Sequence, residues 1–156
     1  AEAAFYSLAL RFTEMVLEVP QAVGLVLYPR LASLKDEEIY ELTAQACRRT
    51  LLISGAGALF IGLAGPWMIR LWYGEAFAPA GAPLPWAAVG VIAMSIFVIL
   101  TRAFTSRHRQ QVNIAAGMVA LVSNVLLNLL LIPRLGIVGA AMAAAISYSG
   151  ACVLLM

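Results

Sequence analysis

The side chains with the most chemical reach in this chain sit inside an otherwise apolar stretch: Ser7, Arg11, Glu14, Glu18 and Gln21. Their spacings of three and four place them on one face of a helix that turns about 100° per residue. One charged side chain at the bilayer centre costs about 3 kcal/mol on insertion scales, so three on one helix are prohibitive against lipid unless they pair or face water. The stripe is therefore expected to line a protein interior or an aqueous cavity. Arg11 and Glu14 are spaced to pair along the helix, which leaves Glu18, beside Pro20, as the less compensated carboxylate and the candidate for proton or cation coupling. Arginine stays charged and presents a planar fork that suits a pyrophosphate or a sugar carboxylate. The alternative is a structural stripe, a buried ion pair that only fixes helix packing.

A second polar stripe is formed by Asn113, Gly117, Asn124 and Asn128, which fall within about 60° on a helical wheel. Carboxamides there can bond sugar hydroxyls or simply a neighbouring helix, the latter worth about 0.6 kcal/mol each. Arg11, Glu14, Glu18, Gln21, Asn124 and Asn128 are thus the expected cavity-lining set. Pro20 and Pro29 are the hinge candidates, because a proline inside a helix removes a backbone hydrogen bond and clashes with the preceding turn.

Other chemistries lack their reagents. His108 is the sole histidine and stands among Arg107, Arg109 and Gln110, which reads as a solvated loop and builds no metal site. The sole aspartate is Asp36, and Ser54, Ser95 and Ser147 have no histidine within the apolar stretches to activate them. No Gly-Lys-Ser or Gly-Lys-Thr follows the glycines, so direct ATP use is not expected. Cys47 and Cys152 stand far apart, with no ligand spacing and no disulfide framework. The sequence predicts no enzyme, no cofactor, no metal and no nucleic-acid partner.

The elements that must position these residues follow from composition. Of 156 residues, 63% are apolar and 12% charged, against about half and a quarter in soluble domains, which places the chain in lipid. The expected architecture is all-α, a polytopic bundle of about five spans near 5–31, 50–71, 84–101, 112–132 and 137–156. Between the first two, Lys35 to Glu38 lead into an amphipathic stretch ending at Arg48 and Arg49, expected as a loop plus a surface helix. Trp67, Trp72 and Tyr73 read as an interfacial belt. Pro133 is expected to stop the fourth span. The fifth, rich in small residues (Gly136, Gly139, Ala140, Ala141, Ala143, Ala144, Ala145, Ser147 and Gly150), is suited to close helix approach.

Basic residues orient the bundle. Arg30, Lys35, Arg48 and Arg49 flank the loop after the first span, and Arg102, Arg107 and Arg109 the loop after the third. The other two loops carry Arg70 and Arg134, so the first and third spans are expected to run toward the cytoplasm. The chain opens without a signal peptide and is still apolar at Met156, as a piece of a longer membrane protein would be.

The segment Asn124-Val-Leu-Leu-Asn128-Leu-Leu-Leu-Ile-Pro133-Arg-Leu-Gly136-Ile-Val-Gly139-Ala-Ala resembles a recurrent signature of polysaccharide-biosynthesis flippases, the O-antigen and capsule repeat-unit transporters of the multidrug/oligosaccharidyl-lipid/polysaccharide superfamily. Tyr6-Ser-Leu-Ala-Leu-Arg11, Val19-Pro20-Gln-Ala, Leu27-Tyr-Pro29-Arg-Leu and Leu71-Trp-Tyr-Gly74-Glu-Ala-Phe77 are similar to other family segments and occur in the family's order along nearly the whole chain. The resemblance implies a two-lobe transporter in the bacterial inner membrane, of which this chain supplies most of the C-terminal lobe and lacks the N-terminal one. It implies an undecaprenyl-pyrophosphate-linked oligosaccharide as substrate, moved outward by alternating access. A multidrug exporter of the same superfamily is the alternative within transport, which Arg11 disfavours. A non-transporting membrane scaffold is the alternative outside it.

Overall fold

The computed structural model describes the backbone of residues 2–155 and the side chains of residues 7–35 and 38–155. Met156, the expected end of the fifth span, and the side chains of Phe5, Tyr6, Asp36 and Glu37 lie outside the described residues. The described chain is all-α: α1 (Glu2–Ser33), α2 (Asp36–Tyr73), a short 3-10 helix (Glu75–Gly81), α3 (Leu84–Ser106), α4 (Gln110–Leu135) and α5 (Ile137–Leu155).

Four of these helices are long and apolar enough to cross a membrane, within Glu38–Tyr73, Leu84–Ser106, Gln110–Leu135 and Ile137–Leu155. Helix α1 is not among them, although its 32 residues make about 48 Å of helix. Arg11, Glu14, Glu18 and Gln21 dilute its apolar content, the same residues that make it chemically distinctive.

Helix α2 departs from the expected loop and separate surface helix, because Asp36–Tyr73 is one continuous element of 38 residues. The reason is local. Residues 38–54 hold no proline or glycine, and good helix formers such as Glu41, Leu42, Ala44, Gln45 and Ala46 carry the helix across the expected boundary. Ile39, Ala46 and Thr50 are buried along one side of this stretch, so tertiary packing holds it as well. At its start the backbone N–H of Lys35 donates to Glu38 Oε2 at 3.4 Å. Helix α4 likewise passes Pro133 and ends two residues later, where Gly136 turns the chain at φ +56°. Proline in a last turn removes only one backbone bond, and the left-handed φ that ends the helix falls to glycine.

Helix α1 packs on α2 and α3, α3 on α2 and α5, and α4 chiefly on α5. One core cluster joins Leu27 and Leu31 of α1 to Ile39 and Ala46 of α2 and Ile99 of α3. A second, at the opposite end, joins Ala9, Ile69, Ala80 and Leu84. Helices consecutive in the chain therefore alternate in direction, and α1 and α3, which pack on each other, run the same way. Arg30, Lys35, Arg48, Arg49, Arg102, Arg107 and Arg109 fall in the half of the bundle around the first cluster. Small residues set the helix approach, as expected where lipid supplies no hydrophobic drive between helices. A Cβ on Gly81 would stand 2.9 Å from Pro66 Cα, so the 3-10 helix lies directly on α2 at that point.

Candidate functional site

The buried seam of α1 reads Ala9, Thr13, Val16, Pro20, Gly24, Leu27 and Leu31. Each polar residue Ser7, Arg11, Glu14 and Glu18 precedes a seam residue by two positions, about 200° around the helix. The polar stripe therefore points away from the seam that holds α1 on α2 and α3. Consistently, Ser7, Arg11, Glu14, Glu18 and Gln21 are all exposed. Thr13 tolerates burial because its hydroxyl donates within the helix, to the carbonyls of Leu10 at 2.7 Å and Ala9 at 3.3 Å.

The expected pairing of Arg11 with Glu14 does not form: neither these residues nor Glu18 closes an ion pair among the described residues. The face carries one cation and two carboxylates with their charges uncommitted to one another. Helix α1 runs unbroken through Pro20 and Pro29, the first buried in the seam and the second exposed.

The asparagines of α4 occupy a different part of the bundle. Asn124 and Asn128 are half-buried, and Asn128 Nδ2 donates to Asn124 Oδ1 at 2.9 Å. Asn128 Oδ1 is buried without a protein partner. Asn113 ties α4 to α3, with Nδ2 donating to the Thr101 carbonyl at 3.0 Å and the Thr105 hydroxyl at 2.9 Å. Since α4 packs on α5 and α3 with no substantial contact to α1, the two polar stripes do not converge within this chain. Arg11, Glu14, Glu18 and Gln21 share one face; Asn124 and Asn128 lie apart from it.

Sequence reasoning missed a groove of about 930 Å³ at the cation-rich end, between the start of α2 and the ends of α3 and α5. Tyr40, Thr43, Arg107 and Arg109 contribute its polar lining. The available signal was Thr43, one turn from Ile39 and from Cys47 on the packed side of a helix that sequence reasoning placed on the surface. No group of described residues could hold a metal ion. His108 sits exposed in the α3–α4 turn at φ +56°.

With this geometry the chain was compared with known proteins. The family model described as lipid II flippase MurJ matches residues 3–156. A probable flippase, AglR, of Haloferax volcanii is 26% identical over 154 residues, covering 91% of this chain and 31% of that protein. The chain thus spans about a third of the length of the curated relative it matches. No solved structure matches.

Proposed function

The chain belongs to the lipid II flippase MurJ family, and on that premise we propose that it forms one wall of a transporter that moves a polyprenyl-pyrophosphate-linked saccharide across the bacterial inner membrane. The observation that carries this reading is the outward polar face of α1. Arg11, Glu14, Glu18 and Gln21 are turned away from every helix that packs on α1, and charges of this kind are not left against lipid. They require a second lobe and the water-filled cavity between the two. In such a cavity Arg11 is a bidentate ligand for the pyrophosphate, and Gln21 a hydrogen-bonding partner for the saccharide.

The family supports the disaccharide-peptide carrier lipid II as cargo, in preference to an O-antigen or capsule repeat unit carried on the same pyrophosphate lipid. Both cargoes share the group that Arg11 would hold, so the α1 face serves either. The rest of the parent protein, including its other lobe, supplies the remaining cavity wall. Glu14 and Glu18 on the same face favour a second reading, an exporter of amphipathic cations, in which the carboxylates rather than Arg11 hold the substrate.

The test is complementation by the full-length parent, in one strain depleted of its lipid II flippase and another lacking its O-antigen flippase. Growth rescue in the first, lost on Arg11→Ala and reduced on Arg11→Lys with normal membrane levels, is the expected result. A charge-assisted contact contributes about 1.5–3 kcal/mol, so Arg11→Ala should slow flipping about tenfold or more. Restored O-antigen without growth rescue assigns the other cargo. Unchanged rescue by both Arg11 variants overturns the role of Arg11, and drug resistance without either rescue moves the function to the exporter.

A further inference from the structure

The groove at the cation-rich end belongs to no part of the proposed transport face. Its approximately 930 Å³ is walled by Ile39, Leu100, Phe104 and Leu155, with Arg107 and Arg109 contributing cationic groups. We infer that this groove binds an anionic diacyl phospholipid of the cytoplasmic leaflet, the phosphate held by Arg107 and Arg109 and an acyl chain laid against the apolar wall.

Three features meet there. First, the groove lies at the end where Arg30, Lys35, Arg48, Arg49 and Arg102 also gather, the end that the positive-inside asymmetry places at the anionic leaflet surface. Second, its chemistry is divided, aliphatic and aromatic side chains on the wall and two guanidinium groups among the polar ones, matching a lipid that is apolar along its chains and anionic at its head. Third, exposed Tyr40 stands at the same groove and presents the amphipathic ring typical of the headgroup level. An anionic phospholipid meets all of these at once, whereas a free phosphate would leave the apolar wall bare.

The native Cys47 lines this groove and is half-buried, so it reports on occupancy without a new substitution. The full-length parent, with Cys152→Ser and any cysteine outside this chain replaced, is reconstituted in vesicles of phosphatidylcholine alone or with added phosphatidylglycerol, and Cys47 is labelled with a small maleimide. Phosphatidylglycerol should slow labelling severalfold, and the protection should disappear in Arg107→Gln/Arg109→Gln but persist in Arg70→Gln/Arg134→Gln at the opposite end. Native mass spectrometry of the same proteins should show about a tenfold loss of retained phosphatidylglycerol in the first double variant only, given the usual contribution of each basic residue at an anionic surface. Equal labelling in both lipids overturns the proposal. So does a Cys47 that is unreactive in every lipid, which would mean that the rest of the parent protein fills the groove, or protection lost equally in both double variants, which would mean non-specific surface charge.

Discussion

Asn113 Nδ2 on α4 lies 2.9 Å from Thr105 Oγ1 on α3, and the same amide reaches the Thr101 carbonyl at 3.0 Å. One side chain thereby bridges two helices across the turn that contains Arg107, His108 and Arg109. Thr105 is itself satisfied by donating to the Thr101 carbonyl at 2.7 Å, so its oxygen is oriented to accept from Asn113. A double-mutant cycle of Asn113→Ala and Thr105→Val in the parent protein should show a coupling of about 0.6 kcal/mol and no more than about 1.7, the range for polar pairs between membrane helices. Coupling indistinguishable from zero in a reversible unfolding assay would remove this bridge from the account.

The α4–α5 hairpin is closed by an approach that only glycine allows. A Cβ on Gly139 would stand 2.5 Å from the Leu131 carbonyl oxygen, which is backbone and cannot swing aside. Gly65 also meets a neighbour too closely, but there it is Leu84 Cδ1 at 2.6 Å, the end of a flexible side chain. Gly139→Ala is therefore expected to cost about 1–3 kcal/mol by overpacking and Gly65→Ala distinctly less. The ranking of the two unfolding midpoints is the check.

The α1 face makes a prediction about solvent. Cysteines placed at positions 11, 14, 18 and 21 of the cysteine-free parent should react with a membrane-impermeant thiol reagent, because all four side chains are exposed, those at 11, 14 and 18 opposite the seam and that at 21 on its flank. Cysteines at Ala9, Val16 and Leu27, which are buried in it, should stay silent. A reactive seam and a silent stripe would invert the assignment of the cavity side, and silence at all seven positions would favour the scaffold reading.

Pro20 offers a test of motion. It is buried in the seam of a continuous helix, while Pro29 is exposed, so a bend at Pro20 must be transmitted to α2 and α3 whereas one at Pro29 need not be. If Pro20 is a hinge, Pro20→Ala should shift the balance of inward and outward reactivity at position 18 while Pro29→Ala leaves it nearly unchanged. Unaltered accessibility and transport in Pro20→Ala would make that proline a static feature.

The helical class and the membrane setting were legible in the chain because both follow from local composition. Long apolar runs bounded by arginines and aromatics have few solutions other than packed helices in lipid. The face shared by Arg11, Glu14, Glu18 and Gln21 was legible for the same reason, since a helical wheel depends on spacing alone. Its pairing was not. Whether Arg11 meets Glu14 depends on side-chain rotamers and on what else competes for the guanidinium.

What the sequence determined by itself was the periodicity: helices, their approximate spans, the polar face and the concentration of positive charge at one end. Tertiary structure decided which surfaces meet. It placed the Ala9–Leu31 seam against α2 and α3, so that the stripe looks outward, and it set Asn124 and Asn128 away from that stripe. It also formed the groove around Thr43. Each of these depends on contacts between residues far apart in the chain, where the register of one helix against another is set by close packing at sites such as Gly81 against Pro66. Periodicity within a single helix carries no record of that register.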